Sequence, residues 1–167
     1  MNLYLMRHAI AAEADGNTED SQRPLTEKGR GKLGKIVYNM EKLGLEFDVI
    51  LSSPYLRTRQ TAEVVADGLN VRPENMLETE NLTPFAFADK LVEEIKARDP
   101  VENLLLVGHE PFLSQLIGML VAGDASLSID MKKAGLCKLS IVQLTYGRCA
   151  TLEWLLTPAQ LAALYIQ

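Results

Sequence analysis

Two runs of four consecutive apolar residues, Leu3-Tyr4-Leu5-Met6 and Leu104-Leu105-Leu106-Val107, constrain this chain more than any other feature. Neither alternates as a half-exposed strand would, and both are too short for a helix. Each therefore reads as a strand buried on both faces, which requires packed layers above and below it. Asp48 to Ser52 reads as a third strand, and Met76 to Glu78 as a short fourth. Between them lie helical stripes: Leu33, Ile36, Val37, Met40 and Leu43, with Thr26 as N-cap and Gly44 just past the end, then Ala62, Val65, Ala66 and Leu69, closed by Gly68 and Asn70. Ala88, Leu91, Val92 and Ile95 form the third stripe, and Phe112 to Val121 a wide, deeply packed fourth. Ser53-Pro54 and Thr83-Pro84 have the cap-then-proline order of helix starts. Leu136 to Thr145 and Thr151 to Leu156 read as an antiparallel hairpin around Tyr146-Gly147, and Pro158 opens a last helix. The expectation is a single three-layer α/β/α domain over residues 1–167, with a mostly parallel mixed sheet.

Charge narrows the function. Seventeen basic and twenty-two acidic residues give a net −5, which argues against a chain whose work is to neutralise nucleic-acid phosphates. The N-terminal apolar stretch is too short for a signal-peptide core. Pro111 to Gly123 falls short of the roughly 20 residues that a membrane span needs. The reading is a cytoplasmic chain that engages neither membrane nor nucleic acid. Cys137 and Cys149 lie in apolar stretches without metal-clip spacing and read as small buried hydrophobes. With every apolar stripe consumed by the expected core, the chain reads as a monomer.

The only two histidines, His8 and His109, each follow a buried strand. In open parallel sheets ligands bind outside the carboxyl ends of the strands, so both imidazoles are expected on one rim. Arg7 adjoins His8, and Arg57 lies in the first turn after the third strand, whose end opens on the same rim. Guanidinium forks match phosphate or carboxylate oxygens, and two of them repel a metal cation; the pocket reads as an anion site with no metal and no cofactor. No GxxxxGK[ST] motif is present, and Gly29-Arg30-Gly31-Lys32-Leu33-Gly34, though spaced as GxGxxG, lies within a helix pattern instead of a phosphate loop between strand and helix. A neutral imidazole can attack phosphorus, and the arginines with the other histidine can neutralise the transferring oxygens.

These residues fall in a longer set of motifs: Leu5-Met6-Arg7-His8-Ala9, Arg23-Pro24-Leu25-Thr26, Ser52-Ser53-Pro54-Tyr55-Leu56-Arg57-Thr58 and Val107-Gly108-His109-Glu110-Pro111. In order and spacing the set resembles the histidine phosphatase (phosphoglycerate-mutase-like) superfamily, and in its short length and Arg-Pro-Leu-Thr segment the SixA-type protein-phosphohistidine phosphatases. The resemblance implies that His8 is the phosphorylated nucleophile, with Arg7, Arg57 and His109 completing the phosphate pocket. Arg23 is either at the pocket lip or a surface loop arginine. The family's Arg-His-Gly is Arg-His-Ala here.

Many members place a carboxylic acid after the second helix to protonate the leaving group. Here that position falls on Asn81, with Glu80 one residue away, as general acid or as a solvated loop glutamate. A phosphoramidate softens the requirement, because imidazole is a far less basic leaving group than an alkoxide. The implied function is a metal-independent phosphatase acting on phosphohistidine of a protein partner. The alternatives are a small-molecule phosphomonoesterase, a silent phosphate-binding module or a stable phosphotransfer carrier. The acidic stretch Glu13, Asp15, Glu19 and Asp20 reads as a solvated loop or as a repeller of small, highly charged phosphates; Lys132 and Lys133 read as rim charge or exposed side chains. Arg59 and Gln60 read as packing or capping residues.

Overall fold

A computed structural model describes residues 1–98 and 100–163. The strands are β1 (Asn2–Arg7), β2 (Val49–Ser52), β3 (Met76–Glu78), β4 (Asn103–Gly108), β5 (Leu136–Ile141) and β6 (Ala150–Leu156). The helices are α1 (Glu27–Lys42), α2 (Leu56–Leu69), α3 (Ala88–Lys96), α4 (Phe112–Ala122) and α5 (Pro158–Ala163). They build one sheet in the order β3-β2-β4-β1-β5-β6. The first four of these strands are mutually parallel, whereas β5 runs antiparallel to β1 and to β6. Among the described residues no helix is long and apolar enough to cross a membrane.

The unbroken apolar runs do what their pattern demands. Leu3, Leu5, Leu104 and Leu106 pack into the layer of α3 and α4, while the alternate residues Tyr4, Met6, Leu105 and Val107 pack into the layer of α1 and α2. Helix α1 starts at a Thr26 cap whose hydroxyl accepts the Gly29 N–H. It ends with Gly44 N–H on the Glu41 carbonyl and Leu45 N–H on that of Met40, with Gly44 at φ +68°, the left-handed conformation that glycine suits. Gly29 lies where α1 meets the chain at Ile10: a Cβ there would stand 2.2 Å from the Ile10 carbonyl oxygen.

Five expectations shift. Helix α2 starts at Leu56 with Tyr55 as N-cap, so Ser53 is not the cap. Helix α3 starts at Ala88, four residues past Pro84, and the Thr83 hydroxyl instead closes a 3-10 turn on the Glu80 carbonyl. Strand β5 ends at Ile141, leaving residues 142–149 as a longer connection, and Cys149 there is only partly buried. Leu43, at the tail of the first stripe, is exposed, standing just past Lys42, the last residue of α1.

Candidate active site

Strands β2, β4 and β1 are side by side and parallel, so their carboxyl ends share one rim. Arg7 stands in register with Gly108, and the His8 N–H donates to the Gly108 carbonyl at 3.0 Å. The histidines that follow the two strands are thereby brought together, with ring centroids 5.3 Å apart. Two further contacts lock His8 from outside the sheet. Ala9 N–H donates to the Thr61 hydroxyl on α2, and Ala134 N–H donates to the carbonyls of Arg7 and His8.

The imidazole of His8 is oriented by its neighbour. Nδ1 lies 2.7 Å from the Ala9 carbonyl oxygen, which can only accept, so Nδ1 carries the proton and the neutral ring keeps its lone pair on Nε2. Burial, then the charges of Arg57, Arg7 and Lys133, outweigh the Ala9 hydrogen bond and lower its pKa to about 4. His109 is held at 2.9 Å by the Ser53 hydroxyl on Nε2 and by the edge of Tyr55, 4.9 Å between centroids. Burial, reinforced by His8, Arg57 and Arg7, lowers its pKa to about 3. Both rings are neutral at pH 7.

The arginines enclose them. Arg7 Nη1 donates to the Met131 carbonyl at 2.9 Å. Arg57 stacks on Tyr55, and its two terminal nitrogens go to the Asp20 carbonyl and to Asp20 Oδ2. Asp20 Oδ1 accepts from Arg23, whose Nη1 also reaches the Ala12 carbonyl. Partial burial pushes the Asp20 carboxyl up, but hydrogen bonds from Arg23 and Arg57 prevail and hold it below its ordinary value. Three buried nitrogens of this cluster, Arg7 Nε, Arg57 Nε and His109 Nδ1, have no hydrogen-bond partner among the described residues. The two arginine nitrogens are donors, and His109 Nδ1 becomes a third when its Nε2 accepts the Ser53 hydroxyl; buried donors left unpaired are rare, and such a set in one place suits an incoming oxyanion. No group of three or more His, Cys, Asp or Glu side chains among the described residues is arranged to hold a metal ion.

Arg7, His8, Arg57 and His109 thus converge, and Arg23 joins them through Asp20. Glu80 sits exposed on a 3-10 turn whose last residue, Leu82, has its carbonyl against Gly108, so the turn flanks the rim. The Asn81 amide turns away to Glu94. Gln60 accepts the Leu25 N–H and ties the Arg-Pro-Leu-Thr segment to α2, and Arg59 pairs with Glu78. Three contributors escaped the sequence reading. Ser53 looked like a cap, Asp20 like one solvated acid among several, and Met131 and Ala134, on either side of the two lysines weighed as rim charge, carried no motif.

The histidine phosphatase superfamily (branch 1) model matches residues 3–83. An uncharacterized protein of Picosynechococcus sp. is 35% identical over 139 residues, 81% of this chain and 82% of that protein. The phosphohistidine phosphatase SixA of Escherichia coli K12 is 27% identical over 163 residues, 96% of each chain. Among solved structures, that of the protein histidine phosphatase SixA complexed with tungstate aligns with a TM-score of 0.83 at 27% identity, covering 96% of this chain and 99% of that one.

Proposed function

The chain belongs to the histidine phosphatase superfamily, and from that premise we propose that it is a metal-independent phosphohistidine phosphatase working through phospho-His8 on a phosphorylated protein. The observation that carries the reading is the convergence of a lone pair and unpaired donors. His8 Nε2 is free to attack, beside three buried nitrogens that lack hydrogen-bond partners among the described residues. In this reading Nε2 attacks phosphorus in line, the P–N bond of the substrate breaks, and the departing imidazole takes a proton from Glu80. Water then attacks the phosphorus of phospho-His8, the P–Nε2 bond breaks, and the proton of the water returns to the Glu80 carboxylate. Arg7 and Arg57 balance the charge on the equatorial oxygens and neutral His109 offers one of them a hydrogen bond from Nδ1, with Arg23 at the lip.

The reading places this activity in the cytoplasm, in a monomer that needs neither cofactor nor nucleic acid. The test is phosphate release from a histidine-phosphorylated protein in EDTA, by wild type beside His8→Ala. Multiple turnovers by wild type alone are expected. No release by either protein would overturn the assignment of substrate.

A further inference from the structure

A second concavity opens beside the nucleophile. It has a volume of about 350 Å³ and lies between α1, α5 and the segments that hold His8 in place. Its inner wall is Ala9, Ile10 and Ala134, the first adjoining His8 and the last hydrogen-bonded to the His8 carbonyl. Ile36 of α1 and Pro158 and Ala162 of α5 complete an apolar lining. Around it stand three ammonium groups, on Lys32, Lys35 and Lys133, and among the described residues none of the three is in an ion pair with a carboxylate. The volume is at the small end of the roughly 300–1,000 Å³ of ligand pockets, suited to an anchoring side chain and not to a folded body.

The charge around the cavity is anomalous for this protein. The chain carries −5 overall, yet α1 alone brings Lys28, Arg30, Lys32, Lys35 and Lys42 against Glu27 and Glu41. An acidic partner is repelled by most of this surface and attracted here, next to the histidines. An apolar lining under unpaired lysines fits a chain that offers an aliphatic or aromatic side chain flanked by carboxylates.

We propose that this cavity is a docking subsite for an acidic segment of the phosphorylated protein substrate, which it grips while the phosphohistidine lies over His8. The proposal rests on the phosphohistidine reading above. It adds a determinant of specificity that acts through the partner's flanking sequence and not through the phosphoryl group.

The test compares two phosphohistidine peptides that differ only in carrying glutamates or lysines on both sides of the phosphorylated residue. Wild type is expected to favour the glutamate peptide by about tenfold in kcat/KM at low salt, and Lys32→Glu/Lys35→Glu to reverse that order. Filling the cavity with Ala162→Trp is expected to abolish the preference without reversing it. In parallel, binding of the unphosphorylated glutamate peptide to His8→Ala is read by fluorescence anisotropy, with and without the two lysine changes. Cleavage of both peptides at equal rates, with no lysine-dependent binding, would overturn the subsite and leave the phosphatase reading standing. Lysine-dependent binding with cleavage of neither peptide would overturn the phosphohistidine reading and leave the acidic subsite standing.

Discussion

Arg57 commits both of its terminal nitrogens to Asp20, one to the main-chain carbonyl and one to the carboxylate at 2.9 Å. That carboxylate is an internal anion on the donors that the proposed reading assigns to a phosphoryl group, and it sits on Arg23 as well. Asp20→Asn removes the charged competitor and keeps the carbonyl. Inhibition by inorganic phosphate is expected to tighten by about three- to tenfold, read as Ki against a fixed substrate. Weaker inhibition would mean that Asp20 acts chiefly to hold Arg57 in place.

Removing Arg57 itself takes away a buried charge that the proposed reading assigns to the transferring group. Arg57→Ala is expected to lower kcat/KM by about 10²- to 10³-fold. His8→Ala is expected to lose turnover by more than about a thousandfold, together with the acid-labile phosphoenzyme seen by rapid quench with radiolabelled substrate. A labelled phosphoenzyme that survives His8→Ala would move the nucleophile elsewhere.

The leaving group separates the two readings of Glu80. Glu80→Gln is expected to slow hydrolysis of an alkyl phosphate by about a hundredfold and that of phosphohistidine by less than tenfold, because imidazole needs less help to depart. Equal losses on both substrates would remove Glu80 as proton donor.

Both histidines titrate below their unfolded value near 6.5, His8 at about 4 and His109 at about 3. As pH falls through 6.5 the unfolded chain takes up protons on both and the folded chain does not. Stability is therefore full above that pH and declines until the folded pKa values are passed. Between pH 7 and 4.5 the loss is on the order of 2–3 kcal/mol per histidine, and His8→Asn is expected to reduce it by that amount in urea titrations. An identical pH slope in the variant would show that His8 is not desolvated.

Gly29 tests the seam between α1 and the chain after His8. An added methyl has the Ile10 carbonyl oxygen 2.2 Å away and backbone on both sides, so neither partner can yield cheaply. Gly29→Ala is expected to destabilise by about 1–3 kcal/mol in thermal or urea unfolding. It should also weaken activity, since Ala9 is the acceptor that orients His8.

The three layers were legible because Leu3–Met6 and Leu104–Val107 are apolar at every position, a pattern with few structural solutions. The histidines were legible because there are only two and both end such runs. Asp20 was not, since nothing local separates it from Glu13, Asp15 or Glu19; its inward turn depends on Arg57, 37 residues away. Ser53 was misread for a related reason. A serine before proline is a common helix start, and its bond to His109 spans 56 residues that only the sheet brings together. The lysine-rimmed cavity draws on α1, residues 133–134 and α5, so no window of sequence contains it.

The pairing of β1 with β4 fixes the distance between the two imidazoles through main-chain hydrogen bonds, which are indifferent to side-chain identity. The stretches along the rim, residues 9–26 and 131–134, fix instead how the side chains are aimed, since Ala9 and Ala134 hold His8, Met131 holds Arg7 and Asp20 holds Arg57. Drift in the exposed residues 13–19 leaves both the ring spacing and those contacts untouched. On the phosphohistidine reading, such a frame lets one phosphorylated client be exchanged for another by surface substitution, and relatives of this fold are expected to diverge in whom they serve before they diverge in what they do.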